Sequence, residues 1–195
     1  MTNPSDPRDD AGTELNEEER EGLIPSYITL RSELNEAEQA NILEAAEWAF
    51  ARKRRLLDEK ALNNLHKRMY GNVWSWAGSY RTSGKNIGID AYRVPAELRQ
   101  LLDDCRYWIE NETFEPDEIA ARFHHRLVSI HSYPNGNGRH ARLAADVLLK
   151  SMGQERFSWG GRNLVNLSET RKRYIAALRA ADGHDIGPLL EFVRS

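Results

Sequence analysis

The sequence predicts a mostly α-helical domain that carries one small β-hairpin. Apolar residues recur at three- and four-residue spacing through most of the chain, which is the period of an amphipathic helix. Glycine and proline separate these stretches, as they commonly do at helix ends. Only residues 74–89 combine three glycines with short aromatic and β-branched runs, a composition typical of two strands joined by a turn near Ser83 and Gly84.

Length and composition describe one domain with a hydrophobic core. The chain has 195 residues, 40% of them apolar, and a mean hydropathy of -0.69. Its 27 basic and 30 acidic side chains leave a net charge of -3, which argues against DNA or RNA as the main partner. The single cysteine, Cys105, excludes an intrachain disulfide and lies on an apolar helix face, where we expect a buried thiol. Without a signal-peptide pattern or a membrane-spanning stretch, we expect a cytoplasmic protein.

Two short segments precede the main domain. Residues 1–12 are polar and rich in turn formers, so we expect a flexible tail. Residues 13–34 form a second segment, which begins with a short acidic helix that Gly22 ends. Residues 35–195 are expected to form the main domain.

Periodicity and capping signals predict the helices of the main domain in order. The first runs from about Asn35 to Arg54 and ends in the basic run Arg52–Arg55, because cations favour a helix C-terminus. Further helices are expected at residues 58–71, 95–109, 115–130, 139–152, 168–181 and 188–193. Together they make the fold mostly α.

The residues that carry chemistry lie between two of these helices, within 131–142. The run Gly136–Asn137–Gly138 comes directly before a helix start, where free backbone N–H groups and the helix dipole favour an anion. Asn137 adds a side-chain amide donor. Arg139 and Arg142 lie three residues apart, on nearly the same face of the first helical turn. A polyphosphate would relieve the repulsion of these two guanidiniums from the dipole and from each other.

One histidine stands beside this loop. His131 ends the preceding helix, and an imidazole that titrates near neutrality can take a proton from an incoming hydroxyl. A Gly-Asn-Gly run alone is more often an ordinary loop, with its arginines paired to surface acids. The combination of the run, both arginines and His131 favours a phosphate site.

The other histidines indicate packing. His124 and His125 lie on the preceding helix and are expected to pack or to support the site. His140 is expected to point away from the phosphate face, and the sequence indicates no partner for His66 or His184. No acid or thiol stands at ligand spacing with them, which argues against a zinc site.

The segment 131–142 resembles the motif of the Fic and Doc family, His-x-Phe-x-Asp/Glu-Gly-Asn-Gly-Arg-x-x-Arg. Tyr133 stands in place of the Phe and Asn135 in place of the acid, and the other motif positions agree. Upstream, Trp-x-Trp-Ala-Gly-x-x-Arg at 74–81 resembles the segment that leads into the family's β-hairpin flap. On segments such as 21–25 and 35–42, the chain is most similar to the Fic-type group called mobile mystery protein B.

This resemblance implies a fold and an activity. It implies a Fic-type helical bundle, with residues 35–195 as the catalytic domain, that transfers AMP from ATP to a Ser, Thr or Tyr hydroxyl of a target protein. His131 would deprotonate the hydroxyl. The loop N–H groups at 135–138 and the Asn137 amide would hold the α-phosphate, while Arg139 and Arg142 would bind the β- and γ-phosphates.

The resemblance also implies partners. A flap carrying Thr82, Lys85 and Ile87 would pin the target's backbone by strand addition, with Ile87 as a clamp. Glu21 is hypothesised to approach Arg142 and restrain the enzyme; the alternative is an acidic helix that only caps the domain. Homodimerisation follows from the resemblance alone.

Two motif positions bear on the reaction. Asn135 offers a neutral oxygen where the family holds Mg²⁺ with an acid, so it is a weaker metal ligand. Gly138 stands where the kinase-like Doc branch has Lys, which favours AMP transfer over phosphorylation.

Other functions stay open at this point. One is transfer of UMP or of phosphate itself. Another is a nucleotide-binding but inactive module, one half of a toxin–antitoxin-like pair, in which Asn135 abolishes turnover. A DNA regulator that uses Arg52–Arg55 is disfavoured by the acidic pI of about 6.1.

Overall fold

The computed structural model describes residues 21–84, 87–161 and 167–195, which contain seven α-helices. The helices are α1 (Arg31–Phe50), α2 (Glu59–Tyr70), α3 (Val94–Glu110), α4 (Pro116–Ile130), α5 (Asn137–Ser151), α6 (Leu167–Asp182) and α7 (Gly187–Arg194). The expected mostly α fold is confirmed. None of these helices has both the length and the apolar content needed to cross a bilayer.

The first helix is displaced from its expected position. It begins at Arg31 because the Glu33 carboxylate accepts hydrogen bonds from the backbone N–H groups of Thr29, at 2.9 Å, and Leu30, at 3.1 Å. It ends at Phe50, and the guanidinium of Arg54 folds back to donate to the carbonyl of Trp48 at 2.6 Å. The basic run therefore follows the helix, and the expected boundary at residue 35 falls inside α1.

The core is built around α4 and α5, which pack against each other most extensively. One apolar cluster joins them to α1, α2 and α3, and it includes the fully buried side chains of Leu62, Leu101 and Phe123. The second cluster joins them to α6 and α7 through Leu149 and Leu189. The thiol of Cys105 is buried in the first cluster, as expected, and burial raises its pKa to about 12.

The expected β-hairpin is not formed by the residues that the structure describes. Residues 75–79 make tight turns, in which the N–H of Ala77 donates to the carbonyl of Trp74 and that of Ser79 to Trp76. The β-pairing in this part of the described chain is one isolated antiparallel bridge, between Trp74 and Leu23. Lys85 and Asn86, at the expected hairpin tip, lie outside the described residues.

Three histidines are buried in the helical core. His124 lies within hydrogen-bonding distance of the Tyr174 hydroxyl, at 3.0 Å, and His140 of the Leu62 carbonyl, at 3.1 Å. His140 therefore faces α2, away from the start of α5, as expected. Burial lowers the pKa of His66 to about 2, of His124 to about 3 and of His140 to about 4, so all three are neutral at physiological pH.

These histidines make stability depend on pH. Their pKa values are lower in the folded chain than in the unfolded chain, so only the unfolded chain takes up their protons as the pH falls below about 6.5. Between about pH 7.5 and about pH 5, each should remove on the order of 2 kcal/mol from the free energy of unfolding. Asp146 acts in the opposite direction and offsets part of this loss, because burial raises its pKa to about 6.

We expect urea unfolding to record this dependence, with a clear fall in stability from neutral to mildly acidic pH. His124→Gln removes one of the three titrating groups. The fall in the free energy of unfolding between the two pH values should then be smaller by the contribution of about one proton. The surface variant His184→Gln should leave it unchanged. Equal stability at both pH values would contradict the assignment of three neutral buried imidazoles.

Candidate phosphate-binding site

A loop of six residues, 131–136, joins α4 to α5. His131 and Gly136, its first and last residues, both adopt the left-handed conformation, with φ of 56° and 78°. Gly136 also packs directly against the aromatic ring of Tyr70, since a Cβ atom built on it would lie 2.5 Å from that ring. Both the positive φ and this close approach require glycine. The backbone conformation of the loop is therefore fixed at Gly136, directly before α5.

The start of α5 is open. The first backbone bond there runs from the N–H of His140 to the carbonyl of Gly136, at 2.9 Å, so the N–H groups of residues 137–139 precede it. A Cβ atom built on Gly138 would meet nothing within 4 Å. The positive end of the helix dipole thus faces space that a ligand can enter, and this is the geometry that the sequence predicts for an anion site.

The side chain of Asn137 has a role that the sequence does not reveal. It is buried, and its amide group accepts a bond from the N–H of Tyr133 at 2.9 Å and donates one to the carbonyl of Tyr133 at 2.8 Å. Asn137 therefore closes the loop upon itself. Its amide oxygen and nitrogen, expected to face an anion, are both engaged within the loop.

The Tyr133 ring anchors the middle of the loop in the core. It is 2% exposed, and its hydroxyl donates to the side-chain oxygen of Asn63 at 2.8 Å. The imidazole of His66 stacks on it, with ring centroids 3.7 Å apart. Tyrosine at this position thus supplies the buried ring and also satisfies its own hydroxyl.

His66 has two partners, although the sequence indicated none. Its Nδ1 lies 3.0 Å from the backbone N–H of Gly78, so Nδ1 accepts and Nε2 carries the proton. Nε2 donates to the carbonyl of Asn135 at 3.1 Å. A neutral imidazole on α2 therefore connects the loop to the turns that follow Trp74.

Arg81 is the second residue that sequence reasoning missed. Its side chain is buried, and its Nε donates to the carbonyl of His131 at 2.6 Å. Its two terminal nitrogens donate to the carbonyls of Ser83 and Ile89. One guanidinium thus connects Ser83 and Ile89 to the first residue of the loop. A buried arginine cannot be read from sequence, although its place in the Trp-x-Trp-Ala-Gly-x-x-Arg pattern was a signal.

His131, the first residue of the loop, is in close contact with Gly88. Its N–H donates to the carbonyl of Leu127 at 3.2 Å, so it ends α4, as expected. Gly88, with φ of 91°, approaches so closely that a Cβ atom on it would lie 2.5 Å from the Cβ of His131. The backbone at Gly88 is therefore in close contact with His131. Thr82 and Ile87, expected to contact a target, are exposed; Lys85 lies outside the described residues.

The two arginines of the motif have different surroundings. Arg139 forms an ion pair with Glu38 of α1, with 2.6 Å between Nη1 and Oε2. The guanidinium of Arg142 lies 5.4 Å from the centroid of the Tyr174 ring and, among the described residues, has no ion pair. Glu21, expected to approach Arg142, is exposed and does not pair with it. Among the described residues, the acid that pairs with an arginine of the motif is Glu38.

The side chain of Asn135, expected to be a weak metal ligand, is engaged within the loop. Its side-chain oxygen accepts a hydrogen bond from the N–H of Gly136, at 2.7 Å, and it is neutral. The described residues contain no group of three or more histidine, cysteine or acidic side chains that could hold a metal ion. The loop 131–136 therefore offers no carboxylate to a resident Mg²⁺.

Comparison with protein families identifies the region around this loop. Residues 56–149 match the model of the Fic/DOC family. The chain is 31% identical over 133 residues to "Protein adenylyltransferase fic-1" of Caenorhabditis elegans, a match that covers 66% of this chain and 25% of that protein. It is 28% identical over 138 residues to "Protein adenylyltransferase Fic" of Aedes aegypti, covering 69% and 27%. The chain thus spans about a quarter of the length of these relatives.

Solved structures share the fold. A Fic-1 fragment from Caenorhabditis elegans superimposes with a TM-score of 0.64 at 24% identity, over 89% of this chain and 51% of that one. The Fic domain of a VirB-translocated effector from Bartonella quintana, with bound ADP, gives 0.68 at 16% identity, over 87% and 86%. BepC from Bartonella tribocorum, with bound AMPPNP, gives 0.65 at 18% identity, over 92% and 97%.

The two glycines that flank Asn137 should respond oppositely to alanine. Gly136→Ala places a methyl group against the Tyr70 ring at positive φ, and should lower the free energy of unfolding by about 1–3 kcal/mol. Gly138→Ala meets open space within a helix, and should leave stability unchanged or slightly higher. Chemical denaturation of both variants tests this. Equal losses of stability in the two variants would contradict the fixed backbone at Gly136 and the open space at Gly138.

Proposed function

Because residues 56–149 carry a Fic/DOC-family domain, we propose that the chain is a protein adenylyltransferase, which transfers AMP from ATP to a hydroxyl of a target protein. The observation that carries the proposal is the open start of α5, with Arg139 on its first turn, Arg142 three residues later, and His131 at the other end of the same short loop. The names of the two curated relatives support AMP as the group transferred.

Phosphate binding is the first part of the proposal. The backbone N–H groups of residues 137–139 donate to the α-phosphate, and the helix dipole favours its charge. Arg139 and Arg142 bind the β- and γ-phosphates. Because Gly136 and Asn137 hold the loop rigidly, these donors are in place before ATP arrives and need little reorganisation. The bound ADP and AMPPNP of the two Bartonella proteins support a nucleotide as the ligand.

Proton transfer is the second part. The imidazole of His131 accepts the proton of the target hydroxyl as its oxygen attacks the α-phosphorus. A bond forms between this oxygen and the α-phosphorus, the bond from the α-phosphorus to the bridging oxygen breaks, and pyrophosphate leaves. Arg142, which has no acidic partner among the described residues, offsets the charge that develops on the leaving pyrophosphate.

Target binding is the third part. Thr82, Ile87 and Lys85 are proposed to contact the backbone of the target, with the exposed Ile87 as an apolar clamp. Gly88 brings this segment against His131, so a bound target strand would present its hydroxyl near the imidazole. An antitoxin-like partner and a homodimer belong to the same proposal, on the family resemblance alone.

Magnesium enters this proposal only with the substrate. Asn135 supplies a neutral oxygen in place of a carboxylate, so Mg²⁺ would arrive bound to the phosphates of ATP. The same observation favours one second candidate function, a nucleotide-binding module that does not complete transfer.

Replacing His131 by alanine should abolish transfer and preserve ATP binding. The variant loses the proton acceptor, so we expect the rate of AMP transfer to fall by at least about a hundredfold. Mass spectrometry after incubation with ATP and Mg²⁺ detects the modification as an added AMP on the chain itself or on proteins of a cell extract. His125→Ala is the matched control, because this imidazole pairs with Asp182 away from the loop.

The masses separate the candidate functions. An added AMP that depends on His131 supports adenylyl transfer, whereas an added UMP or phosphate supports the related reactions. ATP binding without any covalent product would establish the inactive module. Transfer at full rate by His131→Ala would contradict the proposed mechanism.

A further inference from the structure

A buried glutamate touches the proposed phosphate site from the far end of the sequence. Glu38 lies on α1, is 4% exposed, and is 101 positions from its partner Arg139. One of its carboxylate oxygens accepts a hydrogen bond from the indole N–H of Trp74 at 2.7 Å. The other binds Nη1 of Arg139 at 2.6 Å. Both oxygens are therefore engaged by donors that have fixed positions.

The surroundings of Glu38 hold it in place. Trp74 stacks on Trp76, with ring centroids 5.1 Å apart, and its backbone forms the bridge to Leu23. One helical turn after Glu38, the side chain of Asn41 accepts a hydrogen bond from that of Asn72 at 2.8 Å. Withdrawing the carboxylate would leave a buried charge unpaired and the indole N–H without an acceptor, which is costly. Glu38 is thus a fixed group.

Arg139 presents its remaining donors outward. Its side chain is 38% exposed and, within the described ranges, its Nη1 donates to Glu38 while its Nε and Nη2 have no acceptor. The Tyr70 ring lies 5.2 Å from the guanidinium carbon and supports one side of it. A phosphate can therefore bind the outer edge of Arg139 without displacing Glu38.

We propose that Glu38 is a positioning residue, which tethers the inner nitrogen of Arg139 so that the outer edge of this guanidinium is aimed at a nucleotide's β- or γ-phosphate. A free arginine side chain has many rotamers, and tethering it lowers the entropy lost on binding. Glu38 also neutralises one of two cations beside the helix N-terminus before a nucleotide arrives. Glu38 remains bound to Arg139 when the nucleotide is present.

This inference rests on the proposed function, since it assumes that the site binds a polyphosphate. Two roles of Glu38 can then be distinguished: it either positions Arg139 for phosphate or competes with phosphate for Arg139. If Glu38 competed with phosphate for Arg139, removing its charge would strengthen nucleotide binding. If it positions Arg139, removing it weakens binding of nucleotides that reach Arg139 and spares those that do not.

Two variants of Glu38 test the tether by calorimetric titration of the full chain. Glu38→Gln keeps the shape but has one acceptor atom for two donors, so either Trp74 or Arg139 is released. Glu38→Asp keeps the charge and shortens the reach by one methylene group. Both should weaken binding of adenylyl imidodiphosphate by about three- to tenfold. Binding of AMP, which has no β- or γ-phosphate, should change by less than about twofold.

Controls separate positioning from a general loss of structure. Glu36→Gln removes the same charge from an exposed position on the same helix and should leave both affinities unchanged. In the background Arg139→Ala, Glu38→Gln should have no further effect on affinity, because the tethered group is absent. Glu38→Asp retains the buried charge, and is decisive by itself if Glu38→Gln does not fold.

Each outcome of these titrations supports or overturns the role of Glu38 as a tether. Stronger or unchanged binding of the triphosphate analogue in both variants would overturn the tether, as would an equal loss for AMP. A complete lack of nucleotide binding by the unaltered chain would overturn the proposed function and the tether together. Failure of the tether alone is recognised by normal AMP transfer and normal triphosphate affinity in the two Glu38 variants.

Discussion

The close approach of the Tyr70 ring to the Gly136 backbone is the constraint on which the rest of the site depends. Tyr70 is fully buried at the end of α2, so its position is set by the core. Because a side chain at residue 136 would collide with this ring, only glycine fits there, and Gly136 adopts the positive φ directly before α5 begins. The helix N-terminus is thereby placed together with Arg139 and Arg142.

The loop could be predicted from sequence because its determinants are local. Glycines before a periodic stretch, with cations three residues apart on its first turn, specify an open helix start whatever packs around it. The structure confirms that opening at Gly138 and the position of His131 at the end of α4. The burial of Cys105 and the direction of His140 follow from helical periodicity alone.

The supporting residues could not be predicted, because each acts across a long distance in the sequence. His66, Arg81 and Glu38 contact residues 69, 50 and 101 positions away, and such pairs depend on how the helices assemble. The segment 74–89 illustrates the same limit. Its composition suits a hairpin, but in the described residues Arg81 takes up the carbonyls of Ser83 and Ile89, which strand pairing would otherwise use. The local sequence pattern thus identifies the residues of the candidate site, and tertiary contacts determine how those residues are positioned.

A crystal structure of the full chain with a non-hydrolysable ATP analogue tests the central claim most directly. The account predicts the α-phosphate at the N–H groups that begin α5, the outer phosphates on Arg139 and Arg142, and the imidazole of His131 facing the α-phosphorus from the side opposite the leaving pyrophosphate. It also predicts that Glu38 still contacts Arg139. A nucleotide bound elsewhere, or phosphates that touch neither arginine, would contradict it.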